Sequence, residues 1–177
     1  MGGRGASGRG GKGGGNVANQ EAQAKRIAER ASAKIEKALT QWENEGKITG
    51  NPIRVGYVDR EIRRHAKQNG NALANSSMYF TGKGLSHAER ASKVRDGLAV
   101  SKKDFSRFPI DKSKMKIYYD TSTKNYTYTD GKNKFVLKTN EVIKIRRGKK
   151  TTAVLVTASK LRSADEFNMK KYVKLRV

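Results

Sequence analysis

Between Ile27 and Trp42 the apolar residues Ile27, Ala31, Ile35, Ala38, Leu39 and Trp42 recur three and four apart, the period of a single helical stripe. Alanine, glutamate, lysine and glutamine fill the positions between, and all are good helix formers. Gly46 stands where a helix-ending glycine belongs. The spacing predicts a helix from Asn16 to about Glu45, its apolar-poor first half in solvent and its second half docked through Leu39 and Trp42. Pairing with a helix of another chain is the alternative use of the stripe. Val58, Ile62 and Ala66 repeat the helical spacing on a shorter segment. Asp59 is in the capping position and Gly70 lies beyond its end, so a short helix running to Gln68 is expected.

Punctuation dominates elsewhere in the first two thirds. Gly50, Asn51 and Pro52 make Ile48–Gly56 a turn-rich connector. Residues 70–84 are rich in Asn, Ser and Gly and read as a long loop, with Met78, Tyr79 and Phe80 as a small apolar cluster inside it. Ser86 and Glu89 have the spacing of a capping box that would open a helix ending at Gly97. Ser101 and Asp104 repeat the pattern before Phe105 and Phe108, and Pro109 is expected to end that helix.

After Pro109 the period changes from helical to alternating. Met115, Ile117 and Tyr119 alternate with Lys114, Lys116 and Tyr118, and Thr121–Lys124 reads as a turn. Asn125–Thr129 is a short Thr/Tyr strand, and Asp130-Gly131 is a strong hairpin signal. Lys132–Lys138 and Glu141–Arg147 alternate as two further strands. Gly148–Lys150 reads as the turn into Thr151–Thr157, an apolar central strand, and Tyr172–Val177 closes the series. The expected fold is α+β: N-terminal helices on one face of a C-terminal antiparallel sheet of about five to six strands. Residues 1–15 hold nine glycines and nothing large and apolar, so a disordered basic arm is expected there. Residues 16–46 form the first helix, and residues 47–177 form the domain.

Composition sharpens this picture. The 177 residues include 39 Lys+Arg against 16 Asp+Glu, a formal net charge of +23. Such a surface seeks polyanions, nucleic acid first. Hydrophobic residues make up 35%, so the core must be modest. No apolar run approaches the roughly 18 residues of a membrane span, and no secretory signal is expected. The absence of cysteine removes disulfides, thiolate metal sites and cysteine nucleophiles, and it suits a reducing compartment. With two histidines, neither a metal nor another cofactor is expected.

The alternation gives the sheet two chemically different faces. One is Met/Ile/Phe/Leu and must be covered. The other carries Lys114, Lys116, Lys132, Lys134, Lys138, Lys144, Arg146 and the adjoining Arg147, interleaved with Tyr118 and with Tyr126 or Tyr128. Glu141 is the only acid from residue 131 to 150. An ordinary solvated face would also carry lysines, but a phosphate-binding face explains the missing acids better. On the short helix His65 lies beside Arg63, Arg64 and Lys67, of which Arg63 and Arg64 are expected to contact nucleic acid with the sheet cations. Three flanking cations would depress its pKa and leave a neutral imidazole able to take a proton. His87, in a first helical turn, reads as exposed and idle.

Three stretches carry a resemblance: VGYVDREIRRHAKQNG at Val55–Gly70, LAVSKKDFSRFP at Leu98–Pro109, and KIYYDTSTKNYTYTDGKNKFVLK at Lys116–Lys138, followed by LVTAS at Leu155–Ser159. In their order they resemble the phage-associated branch of the barnase–EndoU–colicin–RelE-like nuclease superfamily. The MGGRGASG start is similar to that of small proteins carried beside phage head genes. The resemblance covers about two thirds of the chain. It implies helices on one face of an antiparallel sheet, RNA across the other, and metal-independent cleavage by 2′-hydroxyl attack.

Carried over residue by residue, the resemblance implies His65 as acid or base and Lys67, Lys144 and Arg146 as phosphate stabilisers. Thr157 and Ser159 become the hydroxyl pair of the last core strand. No glutamate sits opposite His65, which departs from the family's pattern. The implied role is that of a phage-encoded endoribonuclease in the cytoplasm of a bacterial host, with RNA or DNA phosphates and an immunity protein as partners. The alternative is a non-catalytic phage accessory protein that binds DNA or RNA, or an inhibitor of a host nucleoprotein of the anti-CRISPR type.

Overall fold

The computed structural model describes residues 13–176, with side chains from Val17 onward. The expected Gly-rich arm lies outside the described residues except for Gly13, Gly14 and Gly15, which open helix α1 (Gly13–Glu45). The fold is α+β, with helices against one face of a seven-stranded sheet. Among the described residues no helix is long and apolar enough to cross a membrane.

Helix α1 follows its stripe: Ala31, Ile35 and Leu39 are buried, Trp42 is half-buried, and residues 17–26 are exposed. The buried half lies on strand β1 (Ile53–Tyr57) and helix α5 (Lys102–Asp111). Helix α2 (Arg60–Gln68) buries Ile62 and Ala66. Asp59 is at its N-cap position, but its carboxylate caps nothing. It is held instead by Lys112 Nζ at 2.6 Å, Arg176 Nη1 at 2.8 Å and the Tyr128 hydroxyl at 2.8 Å. Burial alone would raise the pKa of Asp59. The two cations and the hydroxyl outweigh that and hold it below the usual carboxylate range.

Two segments read as connector and loop contain strands. They are β1 and, after α2, β2 (Ser77–Phe80). They pair antiparallel with each other, and β2 joins the rest by a parallel pairing of Met78, Tyr79 and Phe80 with Ala153, Val154 and Leu155 of β6 (Gly148–Lys160). The sheet is therefore mixed, in the order β1-β2-β6-β5-β4-β3-β7. From β6 to β7 it is the expected antiparallel array, with β3 (Lys116–Asp120), β4 (Asn125–Thr129), β5 (Asn133–Ile145) and β7 (Tyr172–Arg176).

The helices between β2 and β3 also differ from expectation. Thr81, not Ser86, caps α3 (Gly82–Ala88) by accepting from Gly84 N at 3.0 Å. Ser86 lies inside the helix and donates back to Lys83 O. Glu89 ends α3, and α4 (Ala91–Arg95) follows separately. Ser101 does cap α5, accepting from Asp104 N. Pro109 does not stop that helix. It is buried with Phe108, and packing holds the helix for two further residues despite the missing N–H donor. Between helices and sheet lies an aromatic core in which Phe105, Phe108, Phe135, Phe80 and Tyr128 meet at centroid distances of 4.3–6.1 Å.

A candidate nucleic-acid interface on the β5–β6 ribbon

The segments Lys132–Lys138 and Glu141–Arg147, expected as two strands, are one 13-residue strand, β5, interrupted by a bulge after Lys138. Asn140 occupies the bulge at φ 55°, a left-handed conformation that asparagine tolerates. Its side chain accepts from Ala74 N at 2.9 Å and donates to Asn71 Oδ1 and Ala72 O. A bulge bends and twists its strand. Here it marks where the hairpin leaves the sheet. The pairing of β4 with β5 ends at Leu137, and that of β2 with β6 involves only Ala153, Val154 and Leu155. From the pair Glu141–Thr152 to the pair Ile145–Gly148, β5 and β6 pair only with each other, as a two-stranded ribbon.

The turn of the ribbon is Arg146-Arg147, not Gly148–Lys150. Arg146 and Arg147 are therefore exposed at a tip instead of standing on a sheet face. Lys144, Lys149 and Lys150 lie beside them. None of these five cations is ion-paired to a described residue. Lys150 donates to the Tyr79 hydroxyl at 2.9 Å. At the foot of the ribbon a cleft of about 760 Å³ opens, and Lys83, His87, Lys138, Lys144, Val154 and Val156 are among the residues that line it. Burial lowers the pKa of His87, and Arg90, Lys93 and Lys83 lower it further.

The other expected cations divide by what they meet. Arg63, Arg64 and Lys67 are exposed on α2, and Lys116 is exposed on β3. Lys132 pairs with Asp104 at 3.4 Å and Lys138 with Glu141 at 3.1 Å. Lys134 is half-buried against Glu166. Tyr118 does not offer its ring to a ligand. It is buried and stacked on Phe167, with centroids 4.5 Å apart and planes 10° apart.

His65 lies on the helix-covered side. Its Nδ1 is 2.8 Å from the Tyr126 hydroxyl, and its ring centroid is 4.4 Å from that of Tyr119. Its pKa is lowered, as expected, but burial is the cause and not the neighbouring cations. Thr157 and Ser159 pair across from Val136 and Lys134, whose neighbour Phe135 points into the core. Alternation therefore puts Thr157 and Ser159 on the opposite face from His65. The structure brings Thr157, Ser159 and Lys134 near one another, and it brings Lys144, Arg146 and Arg147 together at the tip. It does not bring either group to His65.

Lys93 is a polar residue that its sequence context does not reveal. Beyond Leu155, β6 has no strand on its β2 side. Lys93 covers that free edge by donating to Ala158 O at 2.9 Å and to the Thr157 hydroxyl. Burial, then Arg90 and Lys134, lower its pKa to about 8. Nearby Glu89 keeps one buried carboxylate oxygen without a hydrogen-bond partner, and burial raises its pKa. Among the described residues no three His, Asp or Glu side chains are grouped to hold a metal ion. Comparison with protein families, with curated proteins and with solved structures finds no match to this chain.

Proposed function

We propose that the protein binds nucleic acid, with the β5–β6 ribbon and the cleft at its foot as the contact surface. The observation that carries this reading is the charge of the ribbon. Lys144, Arg146, Arg147, Lys149 and Lys150 crowd one turn, and no carboxylate occurs between Val142 and Thr152. Such a cluster repels itself unless a polyanion neutralises it. Nucleic acid is such a polyanion, and each phosphate that a Lys or Arg contacts releases a counterion.

Binding is preferred to cleavage because 2′-hydroxyl attack needs a base, an acid and cations around one phosphate. His65 is tied to Tyr126 across the sheet from Thr157 and Ser159. This supports the accessory, non-catalytic role over the endoribonuclease. Labelled RNA and DNA incubated in EDTA with wild type and with K144A/R146A/R147A/K149A test both points. Wild type should bind at low salt, the variant should bind roughly tenfold or more weakly, and the nucleic acid should remain intact. Absence of binding overturns the reading. RNA cleavage that is lost in His65→Ala overturns the non-catalytic part.

A further inference from the structure

The two faces of the ribbon have different fates. Pairing sets Val142 opposite Thr151 and Lys144 opposite Lys149, and alternation puts these four on one face. Ile143, Ile145, Lys150 and Thr152 share the other. Burial follows this parity. Ile143 is 8% exposed and Thr152 is fully buried, while Val142 is 61% exposed and Lys144, Lys149 and Thr151 are exposed with it. The covered face is fastened by Thr152 Oγ1 donating to Ser77 O at 2.8 Å and by Lys150 on Tyr79. The ribbon is thus backed by protein along one side and exposed along the other, where Val142 and Lys144 also border the cleft shared with α3.

Two features of the presented face call for an occupant. Lys144 and Lys149 stand directly across from each other, an arrangement that destabilises a strand pair when nothing neutralises it. Beside them, the exposed Val142 side chain and the Thr151 methyl offer a small apolar contact between cations. Resting on the nucleic-acid reading above and narrowing it, we infer that this face lies in the major groove of B-form duplex DNA.

The dimensions agree. Strands ~4.8 Å apart with their side chains fill a groove about 12 Å wide, which admits a two-stranded ribbon. The chemistry agrees as well. Lysines can donate to guanine O6 and N7, and Val142 and Thr151 can meet thymine methyl groups. Arg146 and Arg147, at the turn, reach flanking phosphates.

Other nucleic acids fit this face less well. Single strands are held by stacking their bases on aromatic side chains. The ribbon has no aromatic residue from Glu141 to Thr152, and the ring of Tyr118 is occupied by Phe167. An RNA duplex has a major groove too deep and narrow for side chains to read.

The test uses the full chain and a mixed-sequence DNA duplex, an RNA duplex of the same sequence and the single strands of each. Fluorescence anisotropy at low salt should show the DNA duplex bound roughly tenfold more tightly than the RNA duplex. Guanine N7 atoms in the bound DNA should be protected from dimethyl sulfate. K144A/K149A should lose that protection while its melting temperature stays level or rises, because a repulsion is removed. Equal binding of RNA and DNA duplexes, preference for single strands, or bound DNA with unprotected N7 would overturn the groove assignment and leave the nucleic-acid reading standing. Failure to bind any polynucleotide would instead overturn the reading on which the assignment rests.

Discussion

Asp59 shows how much one side chain can join. Its carboxylate ties the start of α2 to Lys112 after α5, to Tyr128 on β4 and to Arg176 on β7. Asp59→Asn removes the charge and leaves two half-buried cations facing an amide, a loss of about 3 kcal/mol. The pH dependence has a definite sign. The folded pKa lies below the unfolded value of 3.8, so the stabilisation is complete above the unfolded pKa and is lost as pH falls through the folded one. Thermal melts of wild type and Asp59→Asn should therefore differ at neutral pH and converge in strong acid. A gap that persists in acid would mean that packing, not charge, holds the junction. At this scale the sequence shows which groups are charged but not what they meet. Lys134 and Lys144 both look like outward strand lysines, yet one is matched by Glu166 from a distant turn and the other has no acid. Placing His65 required knowing which side of the sheet α2 covers.

Elements whose partners are local were legible. The cap at Ser101, the places of β3 and β4 in the chain and the buried stripe of α1 depend on near neighbours and fell where the residues predicted, although Tyr118, expected on the outward face of β3, is buried. β1 and β2 did not, because their reason for being strands lies elsewhere in the chain. β1 has a glycine and an arginine among five residues. β2 is a four-residue strand whose parallel partner is some seventy residues away. The ribbon was half legible: its lysines were evident, but its bulge at Asn140 and its true turn were not. One close approach at this scale is testable. A Cβ added to Gly84 would lie 2.6 Å from the Leu155 carbonyl oxygen of β6. Backbone on both sides leaves little room to yield, so Gly84→Ala should cost about 1–3 kcal/mol. Chemical denaturation would measure this, and an unchanged midpoint would show that α3 can lift away from β6.

For the whole molecule, the excess of cations over acids should govern affinity. If about six phosphates are contacted, affinity should fall by roughly three decades between about 50 and 200 mM salt, as read by anisotropy titrations. A shallow dependence would mean that few cations take part. The parallel β2–β6 pairing has a further consequence, for biosynthesis. As the chain leaves the ribosome, Ile53, Val55, Met78 and Phe80 are complete long before the strand that backs them. Residues 153–155 emerge only after about seventy more have been added. Pairings this remote are slow to form and leave hydrophobic edges open in the interval. A chain ended before β6 should therefore aggregate instead of folding its first half independently, and sedimentation of such a truncation beside the full chain would show it.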